Sequence, residues 1–98
     1  MFMVRLTMTG NPAPTPEWMA EHKAWLQQGF AEGCFLASGN LTGQAGGGIL
    51  VHGLSETALQ QRLAQDPLVA QGVVSVTVIG MTPAKVDPRL DFLLAAQP

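Results

Sequence analysis

Residues 73–79 read Val73-Val74-Ser75-Val76-Thr77-Val78-Ile79. β-branched side chains pack well on a pleated surface, so this run is a strand. Alternation puts Val74, Val76 and Val78 on one face, and Ser75 and Thr77 on the other with Val73 and Ile79. Working back from it, Gly72 closes a short helical turn from Pro67 to Ala70. Asp66-Pro67 breaks the helix before that turn, because a residue preceding proline avoids the α region. That helix is capped by Ser55 and turns Ala58, Leu59, Leu63 and the aliphatic stem of Arg62 inward. Upstream of it, Gly48-Ile49-Leu50-Val51-His52 and Cys34-Phe35-Leu36-Ala37-Ser38 read as two strands. The flexible Gly39 to Gly47 connection joins them into a hairpin.

A longer helix starts near Thr15, with Thr15 as N-cap, Pro16 at the first helical position and Glu17 at the positive dipole end. Trp18, Met19, His22, Trp25, Leu26, Gly29 and Phe30 follow helical spacing and form its apolar stripe. Gly33 ends the helix with a positive φ. Three prolines between Gly10 and Pro16 make a loop. The chain opens on a strand in which Phe2, Val4, Leu6 and Met8 share one face and Met3, Arg5 and Thr7 the other.

The order β-α-β-β-α-β predicts one α+β domain over residues 1–98. Its core spans about residues 1–85, with a tail at 86–98. This is the ferredoxin-like split βαβ pattern, an antiparallel four-stranded sheet with both helices on one face. The uncovered face carries Met3, Arg5, Thr7, Ser75 and Thr77, and must meet water, a ligand or another subunit. In the tail, Leu90, Phe92, Leu93 and Leu94 suit a last helical turn that packs on a neighbour.

The 98 residues are 47% hydrophobic and 12% charged. A charged fraction near half the usual ~25% points to surface that is not meant for water, and a homodimer is the expected partner. Net charge is -2, and the cations Arg5, Lys23, Arg62, Lys85 and Arg89 are scattered. A nucleic-acid footprint needs clustered cations, and so does an anionic membrane surface. Neither partner is expected. Cys34 stands alone, which excludes an internal disulfide and a zinc site built on cysteine pairs. It reads as a small buried hydrophobe. With no signal-peptide pattern and no apolar run long enough for a membrane span, a cytoplasmic setting is expected.

Two residues carry candidate chemistry. His22 lies inside the apolar stripe, and a buried imidazole needs partners for its nitrogens. Asp66 continues the face of Leu59 and Leu63 at i, i+4, i+7. A satisfied core histidine and a cap on the Pro67 turn are the plain readings of the two. Both helices lie side by side on one sheet face, however, so His22 and Asp66 are expected to meet. A carboxylate on one imidazole nitrogen fixes the tautomer and frees the other nitrogen for proton transfer. No serine or cysteine sits beside them as a nucleophile.

His52 reads as a strand-end surface or interface residue, and nothing spaced with either histidine completes a metal site. Gly43-Gln44-Ala45-Gly46-Gly47-Gly48 leads into a strand, not a helix, and no Lys-Ser or Lys-Thr follows, so it is not a phosphate loop. A mobile lid over a pocket is the functional reading left for it. Arg5 on the open face suits a carboxylate or phenolate, or an intersubunit ion pair.

With these stretches in place the chain resembles the YCII-related (YciI-like) family over roughly residues 1–85. The resemblance rests on Met3-Val4-Arg5-Leu6 and on His22 within Glu21-His22-Lys23-Ala24-Trp25-Leu26. It continues in Glu32-Gly33-Cys34-Phe35-Leu36-Ala37-Ser38-Gly39, Gly47-Gly48-Ile49-Leu50-Val51, Asp66-Pro67-Leu68-Val69 with Gly72, and a valine-rich strand ending near Thr82-Pro83. It implies a ferredoxin-like fold that pairs as a dimeric α/β barrel. It also implies an active site on a His–Asp pair that maps onto His22 and Asp66. Relatives of assigned activity act on aromatic breakdown products, among them a dehydrochlorinase of a chlorinated hydroxyquinol. The family often has proline after Ser-Gly; here Asn40 follows Ser38-Gly39 and adds a polar group at the pocket rim.

Two readings follow. In the first, the protein is a small enzyme without cofactor, a lyase or isomerase. It moves a proton with His22, orients that ring with Asp66, and binds a small, aromatic or enolisable ligand through Arg5, Ser38 and Asn40. In the second, it is a non-catalytic small-molecule-binding or accessory dimer whose His–Asp pair is structural.

Overall fold

The computed structural model describes residues 1–95. Its elements are β1 (Phe2–Met8), α1 (Pro16–Ala31), β2 (Phe35–Asn40), β3 (Gly46–Val51), α2 (Glu56–Leu63), α3 (Pro67–Ala70), β4 (Val74–Gly80), a 3-10 turn (Pro88–Leu90) and α4 (Phe92–Ala95). One sheet holds the strands in the order β2-β3-β1-β4, and each neighbouring pair is antiparallel. Together with the helices this is the expected α+β, ferredoxin-like arrangement.

Local chemistry starts each helix where the residues predict. The Thr15 hydroxyl accepts the Trp18 N–H at 3.0 Å, the Ser55 hydroxyl accepts the Ala58 N–H at 3.1 Å, and the Asp66 carboxylate accepts the Leu68 N–H at 3.1 Å. Each bond satisfies a donor that the first helical turn leaves free. Gly33 takes φ 81° after α1.

Trp25, Leu59, Leu63 and Leu68 from the helices pack on Val4, Leu6, Ile49, Val51 and Val74 from the sheet. The far face exposes Met3 and Ile79. Phe30 departs from the expected stripe: it is exposed, near the last turn of α1, where its ring meets Phe35 edge-on at 6.1 Å. α1 also comes so close to β2 that a Cβ on Gly29 would overlap the Phe35 ring. Alanine for a helical glycine normally stabilises by about 1 kcal/mol. Here Gly29→Ala is expected to destabilise by about 1–3 kcal/mol, because overpacking outweighs propensity. A urea midpoint at or above that of the unsubstituted chain would contradict this packing.

β2 holds an irregularity. Phe35 pairs with Val51, but Ala37 pairs with Leu50 and Ser38 with Ile49, so Leu36 is the extra residue of a bulge. Strict alternation from the buried Phe35 sends Ser38 and Asn40 to the open face. The bulge reverses that: Ser38 and Asn40 share the helix-covered face with Ile49 and Gly47.

The expected last helical turn is present as α4. Leu93 is buried in this same chain, and Phe92 meets the His52 ring edge-on at 5.2 Å. The last turn therefore packs on its own domain, while Leu90, Phe92 and Leu94 remain exposed. The final part of the expected tail, residues 96–98, lies outside the described residues.

Candidate active site

α1 carries His22 on its sheet-facing side, and the α2–α3 junction carries Asp66 opposite it. His22 Nδ1 lies 2.9 Å from Asp66 Oδ1. The same oxygen caps α3 through the Leu68 N–H, so one carboxylate holds both a helix end and an imidazole. Asp66 is 0% exposed and the His22 side chain 13%. A carboxylate that dry accepts from whatever donor faces it, which places the proton of a neutral His22 on Nδ1 and the lone pair on Nε2. Asp66 Oδ2 is buried with no hydrogen-bond partner among the described residues. Trp25, one turn on, stacks on the imidazole at 5.9 Å with the rings 25° apart. It is anchored by its indole N–H, which donates to the Arg62 carbonyl at 2.9 Å.

The imidazole opens on a cavity of about 320 Å³ whose walls include Leu6, Met19, Leu26, Ile49 and Leu68. About 150 Å³ is enough for benzene, so the space holds a substituted six-membered ring with room to spare. Ser38 and Asn40 border it as well. Neither side chain is hydrogen-bonded among the described residues, which leaves both free to meet a ligand oxygen. The site thus pairs an oriented imidazole with an apolar chamber and two polar groups.

Arg5 stands elsewhere. It belongs to the opposite face of the sheet, where it reaches the Thr77 hydroxyl at 3.4 Å. There it borders a second hollow of about 400 Å³ with Met3, Leu41, Leu50 and Ile79. The backbone of the sheet lies between Arg5 and His22, and the two hollows share Ser38, Gly39, Asn40 and Ile49 along β2 and β3. His52 is half-buried rather than a surface residue. It donates through Nε2 to the Gly33 carbonyl at 2.8 Å, and its Nδ1 is buried with no partner among the described residues. Behind the site, Arg62 forms a two-pronged ion pair with Glu32, at 2.7 and 3.3 Å. That contact holds the Glu32 carboxyl below its ordinary 4.5. Solvent screens the pair, so its contribution to stability is small. Cys34 is buried, with its thiol toward the Gly29 carbonyl at 3.5 Å. Among the described residues no group of three or more His, Cys, Asp or Glu is arranged to hold a metal ion, and no helix is long and apolar enough to cross a membrane.

Fold and site together define a small split-βαβ domain with a carboxylate-held histidine at the mouth of an apolar chamber. The chain belongs to the YCII-related domain family, whose sequence pattern matches residues 1–82. Among solved structures it is similar to muconolactone isomerase, with a TM-score of 0.71 and 22% identity over 88% of this chain and 94% of that one. It is also similar to 5-chloro-2-hydroxyhydroquinone dehydrochlorinase from Burkholderia phenoliruptrix AC1100, solved in complex with 2,5-dihydroxybenzoquinone. That TM-score is 0.59, at 14% identity over 83% of this chain and 93% of that one. At these identities the likeness is one of fold. No curated protein matches the chain.

Proposed function

We propose that the protein is an enzyme of the lyase or isomerase type that moves a proton on a small, enolisable ring compound. The observation that carries this reading is the 2.9 Å bond between His22 Nδ1 and the fully buried Asp66. A structural pair needs no chamber, but here the imidazole borders one with polar groups at its rim.

In the proposed step, His22 Nε2 takes a proton from a ligand carbon next to a carbonyl. The C–H bond breaks, and its electron pair moves onto the carbonyl oxygen as an enolate. Ser38 and Asn40 donate hydrogen bonds to that oxygen. Asp66 stabilises the imidazolium that forms and keeps its ring in place. The imidazolium then returns the proton to a second carbon, or a leaving group departs as the enolate collapses. Side chains alone supply this chemistry. Two fold neighbours are named as an isomerase and a dehydrochlorinase, which supports an enzyme-type role on a small molecule. The experiment is solvent deuterium exchange into a panel of unsaturated lactones and hydroxyquinols, followed by NMR. Exchange that depends on His22 supports the reading, and exchange as fast in His22→Gln as in the unsubstituted protein overturns it.

The working form in this proposal is a homodimer joined through the open sheet face, where Met3 is 43% and Ile79 50% exposed. A monomeric mass by light scattering at micromolar concentration would remove that part. A cytoplasmic setting fits a lone, buried Cys34.

A further inference from the structure

Where the cavity meets the sheet, the wall opposite the helices has no side chain at one position. Gly47 pairs with Leu6 on β1 and with Asn40 on β2. Its missing side chain therefore belongs to the helix-covered face, inside the His22 cavity. Gly48 pairs with Arg5 and Gly39, and its missing side chain belongs to the opposite face. The two glycines also differ in what an added carbon would meet. A Cβ on Gly47 would meet one neighbour, the Gly39 carbonyl oxygen, at 3.3 Å. On Gly48 the nearest neighbour is Leu41 Cδ2, also at 3.3 Å. Neither is among the residues with a positive φ. The tip of the Leu41 side chain gives way more easily than the Gly39 backbone, so a methyl group costs the fold more at position 47 than at 48, and only the methyl at 47 enters the chamber.

We infer that Gly47 sets the size limit of the ligand that the His22 cavity accepts. Resting on the proposed reading of that cavity, the inference assigns the space of an absent Cβ to the flat face of a ring. The ring lies on bare backbone at Gly47, its oxygens reach Ser38 and Asn40 from the same strand pairing, and its reacting carbon faces the imidazole. A side chain at position 47 would lift the ring off the sheet and push it toward α1. In an apolar pocket one extra methyl group is worth about 10–200-fold in discrimination.

The probe is 2,5-dihydroxybenzoquinone, followed by its visible absorbance and by the His22 ring signals in NMR. Gly47→Ala is expected to weaken binding by about tenfold or more, Gly47→Val to abolish it, and Gly48→Ala to leave it as in the unsubstituted protein. Thermal unfolding of each variant keeps a loss of binding apart from a loss of fold. The unsubstituted protein should also refuse the three-ring 2,5-dihydroxy-3,6-diphenyl-1,4-benzoquinone, a measurement that needs no variant to fold. Unchanged binding in Gly47→Ala, a loss confined to Gly48→Ala, or tight binding of the three-ring compound overturns the inference and leaves the role of His22 standing. A protein that binds the one-ring quinone away from His22, or not at all, overturns both.

Discussion

Replacing His22 by glutamine is expected to lower proton exchange by about 10²–10⁴-fold, the usual worth of a positioned general base. Glutamine is chosen because its amide can still donate to Asp66 Oδ1, which sits 2.9 Å from Nδ1 in the native pair. Truncation to alanine would leave a fully buried carboxylate without that donor, and lost activity would then be confounded with lost fold. Glutamine has no group that takes up a proton near neutral pH. A variant with native unfolding temperature and no exchange therefore separates chemistry from structure. A variant with full exchange would move the search to another residue.

Asp66→Ala is expected to cost about 2–4 kcal/mol of stability. The N-cap on Leu68 accounts for roughly 0.5–2 kcal/mol, and the hydrogen bond to the imidazole adds about 1–3 kcal/mol. The two share one oxygen, so their losses will not simply add. Asp66→Asn keeps the shared oxygen and removes the charge. Its carbonyl oxygen can still cap α3, and its shape still fills the site, so most of the stability should return. That oxygen also accepts from Nδ1–H, as Oδ1 does in the native pair, so the imidazole proton stays on Nδ1 while the negative charge that stabilises the imidazolium is gone. Nitrogen chemical shifts of the ring report that tautomer directly. Urea unfolding of Asp66→Ala within about 0.5 kcal/mol of the unsubstituted protein, the range of a neutral surface change, would show that the carboxylate holds little. A proton found on Nε2 in Asp66→Asn would show that this shared oxygen does not set the tautomer.

The parts of the structure legible in the sequence are those set by neighbours in the chain. Thr15, Ser55 and Asp66 each cap a helix because the hydroxyl or carboxylate meets an N–H two or three residues on. Topology then put His22 and Asp66 together, since two helices on one sheet face must touch. Strand ends were harder to read. β2 and β3 run into the glycine-rich stretch as far as Asn40 and Gly46, because strand pairing there is a matter of backbone and needs no side-chain pattern. Leu36 carries no local mark of a bulge, so the face taken by Ser38 and Asn40 had to come from the pairing with β3. Alternation did place Arg5 on the face away from Val4 and Leu6. Only the structure shows that the sheet backbone then lies between it and His22. Nor did composition reveal that Leu93 would find its burial at home; an apolar turn suits a partner's surface and its own equally well.

The bulge at Leu36 also divides β2 into two stretches under different constraints. Before it, Phe35 answers to the core, where neighbouring aromatic rings and Gly29 leave no freedom. After it, Ser38 and Asn40 are exposed and line hollows rather than the core. Substitutions there are expected to cost the fold far less than substitutions at Phe35. Asn40 therefore stands on the side of that boundary where a new side chain disturbs no packed neighbour of the core.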